Sequence, residues 1–359
     1  PTGLVGSEMC IRDSPLNFGF DEIIDTRSPY AKTLAIVTFG DDARVDGEFG
    51  RKEYAIKANG VDFIVPDTIE VSGKAGLELY AWDRMNGTRF KTGINQIKVQ
   101  VNNKIWFEQN INTWTFSESR YFYQHINYAS LVNSRQRYNK LYVDDGNKLD
   151  FYGPVIDEGR IEFKEGELYN VLITMEDSYG NKSKLKLLLK GTRPPEVVNR
   201  ASNPEIGYEI LEQYLKITTE QESASASGYL YVDGKKNELS PIYLIDSTRA
   251  VYLWSLNTSL PDSLVLSDTT FNFNLTSRVP VNNEYKLYTE YADIVFKKRS
   301  LFDTLFVSLE HKIDTSSHLE LLTIGEPTTP LKSSIKVIMK PSQQRDTTLN
   351  YQVYQWYGG

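Results

Sequence analysis

Three histidines, His125, His311 and His318, are the first candidates for chemistry in this chain. Imidazole can ligate a metal or act as a general base near neutral pH. A hydrolytic metal site needs such residues at ligand spacing, and neither H-E-x-x-H nor H-x-H occurs. His125 falls on an apolar stripe at helical spacing, which reads as a core histidine. His311 and Asp314, in HKID, are loosely spaced for a turn. Two carboxylate pairs, Asp41-Asp42 and Asp144-Asp145, could share acid–base work, but each lies beside a glycine and reads as a solvated turn. The stretch DDGNKLD (144–150) resembles part of a calcium loop, yet the required glycine and the terminal glutamate fall at the wrong positions. G-x-S-x-G is absent, as is any phosphate-cradling glycine loop. Cys10 is the only cysteine, so disulfides and Cys-based zinc sites are not expected. From these patterns we assign no catalytic, cofactor-binding or metal-ligating residue. Trp82, Trp106 and Trp114 could stack on sugars, although each lies in a strand-like run and reads as core.

The elements that would position these residues are mostly strands. The chain has 359 residues, 40% of them hydrophobic and 12% aromatic, which is ample for several cores. Its 23 tyrosines and its Asn/Gly punctuation lean towards β structure. A net charge of −7 argues against nucleic-acid binding, which needs clustered Lys and Arg. The best basic run, KSKLKLLLK (182–190), alternates like a strand with one solvated face. No run approaches the ~20 apolar residues of a membrane-spanning helix.

Strand candidates recur from Thr33 onwards: EYAIKA (53–58), VDFIV (61–65), GLELYAW (76–82) and INQIKVQV (94–101). Asn102-Asn103 then leads into KIWFEQ (104–109), and Asp233-Gly234 follows YLYV; both read as tight hairpins. In FSESRYFYQHINYASLVNS, the residues Tyr121, His125, Tyr128 and Val132 recur at helical spacing, with Ser117 as the expected N-cap. Two strand ends look alike: GLELYAWDRMNG ends in Asp83 before Asn86-Gly87, and ELYNVLITMEDSYGN ends in Asp177 before Gly180-Asn181. Each aspartate is expected to accept bonds from turn amides, each glycine to take a positive φ. Pro194-Pro195 reads as a linker.

Three stretches together resemble a known family: PLNFGFDEIIDTRSPYAKTLAIV (15–37), IEVSGKAGLELYAWDRMNG and TFSESRYFYQHINY (115–128). They are similar to the region that follows the catalytic domain in exported lysostaphin-like zinc metallopeptidases of Bacteroidetes, enzymes of the peptidoglycan endopeptidase type. The likeness covers residues 15–191 well and the remainder weakly. In that family zinc is held by H-x-x-x-D and H-x-H motifs, and this sequence has neither, so no catalytic residue carries over. The opening GLVGSEMCIRDS resembles translated sequencing-adapter read-through. Residues 1–14 are therefore expected to be an artefactual leader, with the native chain starting near Pro15 and its front end lost.

The resulting expectation is a mainly β chain of tandem immunoglobulin-like sandwiches with one amphipathic helix between the first two. Its parts are a junction at 15–30, a sandwich at 31–116, the helix at 117–140 and a second β unit at 141–191. A further sandwich at 192–284 and a C-terminal β unit at 285–359 complete it. The resemblance implies a non-catalytic scaffold of an exported cell-envelope peptidase, partnered by its own missing catalytic domain and by peptidoglycan. No zinc or other cofactor is expected in this chain. The alternatives are a free-standing adhesion or glycan-binding module, and a hydrolase with an unrecognised site.

Overall fold

The protein is described by a computed structural model covering residues 24–113, 115–198, 205–220, 227–246, 249–267, 269–314 and 319–340. The expected leader 1–14 with Cys10, and also Trp114 and His318, lie outside the described residues. The fold is mainly β, as expected, and its helical turns are short. The chain divides into two compact units, one comprising the residues up to Phe273 together with Pro327–Pro330, the other comprising Asn274–Glu326 and the residues from Leu331 onwards.

The first unit is organised around β5 (Ile69–Trp82), a 14-residue strand. One edge of β5 pairs antiparallel with β1 (Tyr30–Val45), which in turn pairs with β2 (Arg51–Ala55). The other edge takes two short strands, β8 (Tyr138–Lys140) and β9 (Ile161–Phe163). The first residues of β5 and the preceding β4 (Asp62–Ile64) run parallel to β11 (Lys182–Gly191), and β4 also pairs with β3 (Lys57–Asn59). From β11 the ladder continues through β10 (Leu168–Glu176), β6 (Gln96–Val101) and β7 (Lys104–Asn110). Residues on both sides of the expected boundary, 31–116 and 141–191, therefore hydrogen-bond into one 11-stranded sheet.

Alternation explains where the core lies. Leu34, Ile36, Leu77 and Leu79 share one face of β1 and β5, while Val99, Val171, Ile173 and Leu185 share one face of β6, β10 and β11. All eight belong to a single hydrophobic cluster, so the two halves of the sheet pack against each other. In β11 the leucines at 185, 187 and 189 are buried and Lys182, Lys184, Lys186 and Lys190 are exposed, which is the solvated face read from sequence. Asn102 and Asn103 turn with φ of 48° and 66°, and Val101 pairs with Lys104 across a tight hairpin. Asp233 and Gly234 do the same between Val232 and Lys235.

The helical segment stands where expected, but its cap and its continuity differ. Thr115 rather than Ser117 caps it, with the Glu118 carboxylate accepting the Thr115 N–H at 3.3 Å. A 3-10 turn (Phe116–Tyr121) runs into α1 (Phe122–His125), and α2 (Tyr128–Ser134) begins afresh after a break. At the break Ile126 bridges Asn139, and Asn127 is extended, accepting the Ser130 N–H at 2.8 Å. The predicted stripe is buried only through Tyr121 and His125, and Val132 is exposed. Local periodicity gave way to a tertiary bond, because the Asn127 amide is used against a buried carboxylate of β5.

Beyond Pro194-Pro195 the unit adds two further sheets. One holds the strands 197–198, 243–245, 249–255, 214–220 and 207–211; the other holds 235–239, 228–232, 263–265 and 270–272. The inner face of the first carries Leu215, Ile217 and Tyr252, and its other face carries Val251, Leu253 and Tyr243. That second face closes over Phe49 of the first sandwich. The Phe49 N–H donates to the Tyr243 hydroxyl at 3.2 Å, and its ring meets Tyr214 edge-on at 5.6 Å. Gly47 has φ of 85°, and a Cβ there would lie 2.8 Å from both Pro195 and Val198, so the turn admits only glycine without a shift.

The second unit has two three-stranded sheets, 275–279 with 305–314 and 319–324, and 285–288 with 292–296 and 336–339. Val279, Ile294, Phe296 and Val307 form its core. Within KKRSLFDTLF, Leu301 makes a β-bridge to Leu331 and a strand begins at Leu305. Among the described residues after 200, every regular element is a strand.

Phe49 is 4% exposed and Phe90 is 82% exposed. Phe49→Ala is expected to lower unfolding free energy by about 3 kcal/mol or more, and Phe90→Ala by less than about 0.5 kcal/mol, in urea titrations of the whole chain.

Candidate functional site

The histidines find separate partners. His125 Nδ1 shares a hydrogen bond with the Tyr152 hydroxyl at 3.0 Å, and its ring packs edge-on against Phe151. His311 Nε2 pairs with Glu320 at 2.7 Å, and its ring stacks on Tyr291 with centroids 4.0 Å apart. Asp41 and Asp42 are exposed in the irregular stretch of β1, where Arg44 donates to the Asp41 carbonyl rather than to a carboxylate. Asp144 is paired with Lys140 at 2.5 Å, and Asp145 is exposed. The Trp106 indole N–H donates to the Arg160 carbonyl at 3.0 Å. Trp82 lies between Tyr30 and Tyr80, and the Lys91 ammonium sits over its ring at 3.6 Å.

A buried ionic network occupies the outer face of β5. Glu78, 1% exposed, accepts from Arg51 Nε at 2.7 Å and from the Tyr142 hydroxyl at 2.9 Å. Asn127 Nδ2 lies 3.0 and 2.9 Å from its two oxygens. Gly76, one pleat away, leaves the space that Tyr142 and Phe39 fill, since a Cβ would lie 2.6 Å from the Tyr142 ring. Burial alone would lower the Lys140 ammonium, but Asp144 and Glu78 outweigh it and hold it above its ordinary value. Burial pushes the Tyr142 hydroxyl well up, reinforced by Glu78 and Asp144. Every charge here has a partner, so the network locks the 122–160 segment onto β5 and offers no free acid or base.

A second cluster lies where three strand ends meet. Asp25 precedes β1, Asp83 follows β5 and Asp177 follows β10. They are only 6%, 5% and 4% exposed, and each offers an oxygen within 4.8 Å of the others. Asp177 serves its turn as expected, accepting the Tyr179 and Asn181 N–H groups, both at 2.8 Å, and Gly180 takes φ of 85°. Asp25 Oδ1 accepts the Arg27 and Asn86 N–H groups, each at 3.1 Å. Asp25 Oδ2 and Asp83 Oδ1 are buried and have no hydrogen-bond partner. Burial raises the Asp83 carboxyl above its ordinary value; the Arg84 amide opposes this, while Asp177 and Asp25 reinforce it. Two unit charges under 5 Å apart repel by roughly 3–4 kcal/mol at an effective dielectric constant of about 20. In the sequence Asp83 and Asp177 are look-alike strand ends, whereas nothing local marks Asp25. The signal that could have found the cluster was that likeness.

No protein-family model and no curated protein matches this chain. No helix among the described residues is long and apolar enough to cross a membrane.

Two outcomes follow for the Glu78 network and for His125. Glu78→Leu leaves Arg51 and Lys140 without their shared counter-charge and is expected to cost about 3–5 kcal/mol in equilibrium denaturation. Burial, then the Lys140 charge, pushes the His125 imidazole down from 6.5 to about 3, partly offset by Asn139. Between those values the unfolded chain binds a proton that the folded chain refuses, so stability falls as pH falls through this window. The loss reaches on the order of 4 kcal/mol by pH 3. Urea midpoints measured across that range should drop less steeply in His125→Gln.

Proposed function

We propose that this chain is the non-catalytic accessory region of an exported cell-wall metallopeptidase, a β scaffold that sets the position of a catalytic domain preceding it. The observation that carries this reading is how the segment entering the first sandwich is held. The Ser183 hydroxyl donates to the Pro29 carbonyl at 2.7 Å, and Asn181 Nδ2 donates to the Asp25 carbonyl at 3.1 Å. The Asn86 side chain and amide reach Thr26 and Asp25. Residues 25–29, DTRSP, lie within the first stretch that carries the family likeness, and their use as an anchor suits a scaffold that must fix the direction of what enters it. The helical element of the likeness is likewise structural here, since His125 and Asn127 are spent on Tyr152 and Glu78.

The glycan-binding alternative draws less support. Lys91 covers a face of Trp82, and Trp106 spends its N–H on the backbone. Its place would still be the cell envelope, with peptidoglycan or envelope proteins as partners.

Recovery of the coding sequence upstream of Pro15 tests the reading directly. An in-frame domain with H-x-x-x-D and H-x-H motifs is expected; a signal peptide running straight into Pro15 would favour the free-standing module. The purified chain alone is expected to leave a peptidoglycan suspension turbid. Stoichiometric zinc with chelator-sensitive clearing would restore an enzyme.

A further inference from the structure

The Asp25, Asp83 and Asp177 cluster needs a positive charge that none of the described residues supplies through an ion pair. Among the described residues no ion pair reaches any of the three carboxylates. Buried carboxylates are ordinarily paired, hydrogen-bonded or metal-bound. Asp177 is satisfied by its own turn and by Asn181 Nδ2 at 2.8 Å, but Asp25 Oδ2 and Asp83 Oδ1 are left open. Three acidic residues brought from three distant parts of the chain, with two buried oxygens unused, describe a place made for a cation.

The donor chemistry narrows which cation. An all-carboxylate set with no nitrogen or sulfur suits a hard ion, and Ca²⁺ binds oxygens at about 2.3–2.6 Å. Oxygens bound to one ion can lie no further apart than twice that bond length. A mutual separation within 4.8 Å is compatible with this limit for calcium, and Mg²⁺, which demands near-ideal octahedral geometry and keeps several waters, suits a cage of three protein carboxylates less well. Calcium also tolerates an incomplete protein shell, with water filling the remaining positions.

We propose that Asp25, Asp83 and Asp177 bind a calcium ion that clamps the entry segment before β1 to the far ends of β5 and β10. Neutralising three carboxylates there removes their mutual repulsion and fastens residues 24–29 to the sandwich. The ion thereby makes the direction of the entering chain depend on calcium.

The test uses the whole chain, stripped with chelator and titrated with CaCl₂ to about 5 mM, the range of weak extracellular sites. One equivalent is expected to bind by calorimetry, with a rise in melting temperature of about 5 °C. Tb³⁺ should bind in place of Ca²⁺ and luminesce on aromatic excitation, because Trp82 adjoins Asp83, and Ca²⁺ should displace it. Arg27 is exposed within the clamped segment, so tryptic cleavage after it should slow when calcium is present. Asp83→Asn and Asp177→Asn should weaken calcium at least about tenfold. Asp83→Asn should still fold in chelator, since it removes a repelling charge. Equal melting and equal Arg27 cleavage in calcium and chelator, or calcium binding that survives both substitutions, would overturn the site. A response to Mg²⁺ but not to Ca²⁺ would overturn the choice of ion. None of these readouts involves an upstream domain, so the site stands or falls separately from the proposed scaffold role.

Discussion

A single carboxylate, Glu78, sets the terms for the outer face of the first sandwich. It sits mid-strand in β5 and is almost wholly buried. A carboxylate removed from water costs several kcal/mol unless opposite charge and hydrogen bonds replace the lost solvent. Here Arg51 arrives from β2, Asn127 from the helical segment and Tyr142 from the stretch after β8. Each of those segments has anchors of its own, since β2 pairs with β1 and Tyr138, Leu141 and Phe151 are buried. The buried charge is the attachment that all three share.

The helix break follows from the same constraint. Asn127 cannot both continue a helix and direct its side-chain amide at Glu78 while its backbone N–H donates to Tyr138 at 3.0 Å. Its side-chain oxygen then caps α2, so one residue ends the first helical piece, starts the second and hydrogen-bonds the buried carboxylate of the strand. His125, just before the break, is drawn among Phe122, Phe151 and Tyr152, where the neutral imidazole is the favoured form. A histidine and two acid pairs that could have been catalytic are thus consumed by packing, by ion pairs or by solvent.

The two ends of the first sandwich are held by different physics. Where the chain leaves it, the contact is apolar: Phe49 enters the face formed by Val251, Leu253 and Tyr243, and Arg44 lies over the Tyr243 ring at 5.4 Å. Where the chain enters, the contact is polar, with Asp25, Asn86, Asn181 and Ser183 holding residues 25–29. Apolar burial is insensitive to ions, whereas a carboxylate cluster responds to whatever cation or proton is present. The first sandwich thus has one largely apolar end and one carboxylate-rich end, and the asymmetry lies in the residue types themselves.

What the sequence by itself determined were the features that depend on neighbours a few residues away. The alternation in KSKLKLLLK specified a half-buried strand, because side chains in a strand point to opposite faces with period two. Asn102-Asn103 and Asp233-Gly234 specified hairpins, because these residues tolerate positive φ. The mainly β character followed from many such runs. Tertiary structure alone decided the features whose partners are far apart in the chain. Residues 31–116 and 141–191 share one sheet because β10 pairs with β6 and β11 with β5, which no local pattern encodes. The helical stripe failed at Asn127 because its partner is Glu78, 49 positions away. Asp25, Asp83 and Asp177 meet only because the ends of β5 and β10 converge on the entry segment. A carboxylate at the end of a strand looks the same in sequence whether it faces water, a turn amide or two other carboxylates, and only the packed chain removes the water that would have kept them apart.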